Sequence, residues 1–273
     1  MKRVNLNAYP EQTQLKMIEL LIDNKLPMKA DDPKCKDAEE SARRFFAEYI
    51  PDDIVPAFHH YLYNEGDYIL HENYNGGHHY FLILLDGVCM CTYQGKFISY
   101  KRKGEILGSV GIALRQAPAS PSATVVAYSK EVVLARLEVT DNVREKLRGY
   151  LPFMNWMAED MAGIIISNNA FASLNSNKKL LAAYILCHVQ GKDGVVINPS
   201  KADIKRALNL SDHSQLNKLI DELIKQGALT DVTEGEKGRG RRVSSYQIHK
   251  EVLEEIVNHI DYSSLKDKFA PMI

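Results

Sequence analysis

The apolar and polar positions change period twice along the chain, and each change marks a different kind of structure. Between residues 10 and 50 the period is helical. Pro10 stands where a helix begins, and the densely apolar LKMIELLI follows. After a break at Pro27 and KADDPKCKDA, the segment AEESARRFFAEY puts Ala42, Phe45, Phe46 and Tyr49 on one side and ends before Pro51. Between residues 60 and 138 the period shortens. YIL, HYFLILL, VCMCTY, FISYKR, EIL, ATVVAYS and EVVLARLE are short and rich in β-branched and aromatic residues. The turn signals between them are Glu65-Gly66-Asp67, Asn75-Gly76-Gly77, Asp86-Gly87, Gln94-Gly95 and Lys103-Gly104. Many short strands at close spacing predict a sandwich or barrel-like roll, not alternating βαβ units.

From about Val143 the helical period returns. Tyr150, Met154, Met157, Met161, Ile164, Asn168, Phe171 and Asn175 recur at steps of four and three, which is a heptad seam. A seam of this length with polar Asn168 and Asn175 in it favours pairing of two copies. Met154, Met157, Met161, Ile164, Asn168 and Phe171 are then the expected interface. The alternative is a seam packed on the chain's own roll.

Further on, KADIKRAL, NLSD and HSQLNKLIDELIKQ read as helix, turn, helix. Ile204, Ala207 and Leu208 share a face of the first helix, and Leu216, Leu219, Ile220 and Leu223 share one of the second. His213, Ser214, Gln215, Asn217 and Lys218 are left outward near the start of the second helix, with Ser211 in the turn. Polar side chains at that place suit a recognition helix entering a major groove. Ser, Asn and Gln bond base edges, and Lys218 reaches a phosphate or a guanine. GALTDVTE and RRVSSYQIH pair as a hairpin around GEKGRG. Lys237, Arg239, Arg241 and Arg242 at this glycine-jointed tip form a wing that neutralises phosphates.

Charge sharpens this picture. The 273-residue chain is close to neutral overall, yet residues 176–250 hold thirteen Lys and Arg against eight Asp and Glu. A cationic module in a neutral chain suits one region that meets a polyanion. Length allows about two domains, and 45% hydrophobic with 25% charged residues is ordinary globular composition. No run approaches the roughly 20 apolar residues of a membrane helix. MKRVNLNAYPEQ lacks a signal-peptide core, so no membrane partner and a cytoplasmic address are expected.

Catalytic and cofactor motifs are missing. No GxGxxG, Walker-type loop, HExxH or GxSxG occurs, so no catalytic residue and no enzyme is expected. Cys35, Cys89, Cys91 and Cys187 form no CxxC pair and read as scattered reduced thiols. Cys89 and Cys91 share one face of a strand. His59-His60, His71 and His78-His79 read as surface histidines in turns, because adjacent residues on a strand point to opposite faces. No metal site and no cofactor are expected.

The order of parts resembles the Crp/Fnr transcription regulators over roughly residues 55–250. The carriers are EGDYIL and YFLILLDGVCMC, KGEILGSVGIAL followed by SATVVAYS, the long helix, and ADIKRALNLSDHSQLNKLIDELIKQGAL. The resemblance implies an α+β chain. Within it come a cyclic-nucleotide-binding-like jelly roll as sensor (55–142), a dimerisation helix (143–175) and a winged helix-turn-helix (176–250); the N-terminal helical extension (1–54) is additional to the usual family pattern, and a helical tail (251–273) follows. The implied partners are a second copy of the chain, a two-fold-related operator in double-stranded DNA, RNA polymerase, and an unidentified small-molecule effector.

Cyclic-nucleotide-binding members of that family carry a cassette beginning GEL and ending RSA or RTA. Its Glu bonds the ribose and its Arg pairs with the phosphate. The matching segment here is GSVGIALRQAPASPSATVVA. Ser109 replaces the Glu and Pro121 the Arg, Ser122 and Ala123 are retained, and Arg115 lies mid-loop. Losing a bidentate phosphate partner costs on the order of a thousand-fold in affinity, so control by another signal, or none, is expected. Gly108, Ser109, Ser122, Ala123 and Asn168 either line a pocket for a different ligand or border a collapsed one. A second function class is a sensor that binds a cyclic nucleotide, haem or a redox signal in the roll and acts through protein contacts.

Overall fold

Strands occupy the stretch where the period shortens. β1 (His59–Asn64), β2 (Tyr68–Leu70), β3 (Tyr80–Asp86), β4 (Val88–Tyr93), β5 (Lys96–Arg102), β6 (Ile106–Leu107), β7 (Thr124–Ala127) and β8 (Glu131–Glu138) build two antiparallel sheets. Their orders are β1-β8-β3-β6 and β2-β7-β4-β5. This computed structural model describes residues 10–74, 76–113, 121–189, 192–197, 200–232, 244–260, 265 and 268–269. The chain divides into two units, Met1–Ala162 and Gly163–Ile273.

The run YFLILL in β3 shows no alternation because both of its faces are covered. Tyr80, Leu82 and Leu84 face an inner core with Cys89, Cys91, Val125 and Leu134. Phe81, Ile83 and Leu85 face an outer core with Phe46, Phe58, Phe153 and Met157. The N-terminal helices α1 (Glu11–Asp23) and α2 (Pro33–Tyr49) each join one of these cores. Ile18 and Ile22 of α1 enter the inner core, and Ala38, Ala42 and Phe46 of α2 the outer one. Arg136 of β8, 8% exposed, joins α1 to the roll. Its guanidinium lies over the Tyr61 and Tyr80 rings, 4.1 and 4.3 Å from their centroids. It also donates to the Ile22 carbonyl at 3.1 Å, at the electronegative end of α1.

A short helix α3 (Val110–Ala113) precedes β7. The single helix expected from Val143 is two, α4 (Asp141–Gly149) and α5 (Leu151–Ser173). Tyr150 between them has an extended ψ of 106°. Pro152 has no amide hydrogen, and its ring excludes the carbonyl four residues back, so α4 cannot run on.

The second unit contains α6 (Asn177–His188), β9 (Val196–Ile197), α7 (Lys201–Ala207), α8 (His213–Lys225), β10 (Leu229–Asp231), β11 (Tyr246–Ile248) and α9 (Lys250–Ile256). The strands form an antiparallel sheet ordered β10-β11-β9. Leu181, Leu186, Ile204, Leu216, Leu223 and Ile248 make its core, closed near the C-terminus by Leu265 and Phe269. The fold class is the expected one: helices at the start, a β-roll, a long helix, and a helix-turn-helix with a hairpin.

Candidate functional site

The helix-turn-helix presents a rigid polar face. α7 starts at Ser200, whose hydroxyl accepts from the Asp203 amide at 3.3 Å. It stops before Asn209, the residue with a left-handed φ of 51° that turns the chain. Asp212 caps α8 by accepting from the Gln215 amide at 2.9 Å. Hydrogen bonds from the Gln215 and Ser214 amides and the Ser214 hydroxyl hold its carboxyl below the usual range, the first being the largest cause. Leu216, Ile220 and Leu223 are buried, and Leu219 is partly buried against the same core.

Ser211, His213, Ser214, Gln215, Asn217 and Lys218 are all exposed. One of them has a neighbour from α7: Lys201 Nζ donates to Asn217 Oδ1 at 2.9 Å. That bond fixes the amide of Asn217 and leaves its NH2 group as a donor. The hairpin base pairs in the register Leu229↔Ile248, Thr230↔Gln247, Asp231↔Tyr246. Lys237, Arg239, Arg241 and Arg242 lie outside the described residues.

The seam residues of α5 fall into three groups. Met157 is buried and Met154 partly buried against the outer core of their own roll, where the interface reading had them facing a partner. Met161 and Ile164 are exposed, as are Ile165 and Ile166 beside them. Asn168 accepts from Lys268 Nζ at 2.6 Å, and Phe171 packs with Phe269 at a ring separation of 6.4 Å. The C-terminal tail thus engages the lower part of the seam.

In the roll, Gly108 has a φ of 79°, and a Cβ there would run into the Tyr80 carbonyl oxygen. The Ser109 carbonyl accepts from the Ile112 and Ala113 amides and starts α3. Arg144 Nε donates to the Gly111 carbonyl at 3.1 Å and ties α4 to that helix. Pro121 and Ser122 line a cleft of about 800 Å³. Residues of α1, Glu11, Gln14, Leu15 and Ile18, also line the cleft. Gly108, Ser109 and Ala123 are not among its lining residues, and Asn168 belongs to the other unit. Arg115 lies outside the described residues.

These parts have counterparts among solved structures. FixK2 from Bradyrhizobium japonicum aligns with a TM-score of 0.50 at 14% identity, over 73% of this chain and 96% of its own. A mutant of CooA from Carboxydothermus hydrogenoformans aligns with a TM-score of 0.54 at 12% identity, over 78% of this chain and 94% of its own. The chain has the fold of FixK2 and CooA. TTHA1359 from Thermus thermophilus, a transcriptional regulator of the CRP/FNR family, aligns with a TM-score of 0.48 at 16% identity, over 73% and 98%. No family model and no curated protein matches the sequence.

The histidines and cysteines correct one expectation. His59 and His60 do face opposite sides of β1, but His60 is 8% exposed and so is no surface residue. His78 Nδ1 pairs with Glu138 at 2.7 Å on the surface. Cys89 and Cys91 are core thiols, and burial pushes the Cys89 thiol well up. Cys35 of α2, Glu39 one turn later and His60 of β1 come together, with one ligand-capable atom of each within 4.8 Å of the others. Cys35 lies in the stretch read as a break before the second helix, but α2 begins at Pro33, and this sets Cys35 and Glu39 on one helix face. Nothing local to the sequence announces that His60 arrives there from a strand.

Proposed function

We propose that this chain is a homodimeric, sequence-specific DNA-binding transcription regulator of the Crp/Fnr type. The observation that carries the reading is the exposed polar start of α8, set on buried Leu216, Ile220 and Leu223 and capped by Asp212. Gln215 and Asn217 are the base-reading side chains and Lys218 a phosphate or guanine contact. Lys237, Arg239, Arg241 and Arg242 contribute the sequence-independent contacts of a wing. Met161 and Ile164 hold the second copy, which presents a second α8 to the other half-site.

The roll takes a signal other than a cyclic nucleotide, or the protein is competent without one. Two features support this: Ser109 and Pro121 stand where the ribose and phosphate partners are needed, and residues of α1 line the same cleft as Pro121. Selection of bound sequences from random duplex tests the proposal. The expected product is an inverted repeat with half-sites about one helical turn apart. Recovery of no enriched sequence would overturn it.

A further inference from the structure

We propose that Cys35, Glu39 and His60 form a binding site for one divalent transition-metal ion, of which zinc fits the donor set best. Thiolate, imidazole and carboxylate are the three ligand types that a borderline-soft cation accepts together. Their placement follows from the fold. Cys35 and Glu39 are one turn apart on α2, which sets both side chains on one face. Adjacent residues of β1 point to opposite sides, and His60 is buried while His59, at the strand's start, is exposed.

His60 is 8% exposed, and its Nε2 is buried without a hydrogen-bond partner among the described residues. A buried ring nitrogen left unpaired is the kind of group that a ligand satisfies. Its backbone is fixed, because its carbonyl accepts from the Met28 amide at 2.7 Å and its strand pairs with β8 at Ala135. Cys35 is 4% exposed, and its thiol lies 3.9 Å from a Glu39 oxygen.

The three candidate donor atoms lie within 4.8 Å of one another. A tetrahedral set with bonds of about 2.0–2.3 Å has donors roughly 3.3–3.8 Å apart. The Cys35 Sγ–Glu39 Oε1 pair, at 3.9 Å, is already close to that spacing, and a bound ion would draw the three side chains together over the remaining few tenths of an ångström to about one ångström. Binding releases the Cys35 proton to solvent, and the thiolate and carboxylate then balance the charge of the ion. Three protein ligands leave the fourth position to water, and exposed Glu39 leaves a route in. Its occupancy ties α2 to β1, and so the N-terminal segment to the roll. The site goes beyond the DNA-binding reading and stands without it.

The test uses the full chain without a polyhistidine tag, reduced and stripped with chelator, then titrated with Co²⁺ and with Zn²⁺. One equivalent of Co²⁺ is expected to bind with a sulfur-to-cobalt charge-transfer band that Zn²⁺ abolishes. Cys35→Ser removes the band. His60→Gln and Glu39→Gln each remove a direct donor and weaken binding by at least the roughly tenfold that losing even an outer-shell partner costs. Glu39 is exposed, so Glu39→Gln keeps the melting temperature of the metal-free protein and separates loss of a ligand from loss of fold. Absence of the band at stoichiometric Co²⁺, its survival in Cys35→Ser, or unchanged affinity in Glu39→Gln each overturns the proposal.

Discussion

Replacing Met161 and Ile164 of α5 together by Glu should convert the protein from dimer to monomer. Met161, Ile164 and Ile165 leave 42%, 38% and 57% of their surface exposed in the single chain. Two copies meeting along this stripe bury between two and three side-chain equivalents. At 1.5–3 kcal/mol for each, the stripe contributes roughly 4–8 kcal/mol, of which Met161 and Ile164 account for about 2.5–5. The entropy cost of association is the same for both proteins and cancels in the comparison. The double variant should therefore bind itself roughly a hundred-fold to several thousand-fold more weakly. Four carboxylates meeting across the two-fold add to that loss. Sedimentation velocity at micromolar protein reads the change, and circular dichroism should show helix content retained, since both sites are exposed in the protomer. A double variant that still sediments as a dimer would refute the assignment of this stripe as the interface.

Other substitutions separate the remaining parts of the account. Gln215→Ala or Asn217→Ala should relax base preference by about 1–3 kcal/mol at one operator position, measured by competition between duplexes differing at that base pair. Asn217→Ala also removes the acceptor for Lys201, so Lys201→Ala should reproduce part of its effect. Cyclic AMP or cyclic GMP at millimolar concentration should leave both melting temperature and DNA affinity unchanged. A nucleotide at a hundred times its Kd would instead add about 2.7 kcal/mol of stability, which a thermal-shift assay detects readily. Gly108→Ala should destabilise the roll in thermal melts. The left-handed backbone alone costs about 1–3 kcal/mol, and the Tyr80 carbonyl must move as well.

Periodicity carried the reading of the elements where one face is buried and one wet. In α8, Leu216, Ile220 and Leu223 point in and the polar residues between them point out, as the 3.6-residue pattern requires. The strands of the roll were clear for a different reason, their length and turn residues, because β3 is covered on both faces and alternates on neither. Two things escaped. The break at Tyr150 was hidden by a heptad pattern that runs across it, although Pro152 was its visible cause. The destination of α1 was hidden too, since its apolar run announces burial but not the partner. The partner is the inner core of the roll, reached through the buried Arg136 and the Asp23 carboxylate that accepts from Tyr74 at 2.6 Å. Likewise the seam could not reveal that Met157 packs on its own roll while Met161 one turn later is exposed, because both satisfy the same spacing. The grouping of Cys35, Glu39 and His60 depends on pairing α2 with β1, which no local pattern encodes.

The central claim is that α8 and the basic hairpin tip bind duplex DNA, and the salt dependence of affinity for the selected operator tests it most directly. Phosphate neutralisation releases counterions, so log K should fall linearly with log salt, by about 0.9 per phosphate contacted. Arg239→Ala, Arg241→Ala and Arg242→Ala should each flatten the slope by about one unit while leaving sequence preference intact. Duplex affinity that does not change with salt, or a slope untouched by all three substitutions, would contradict the account.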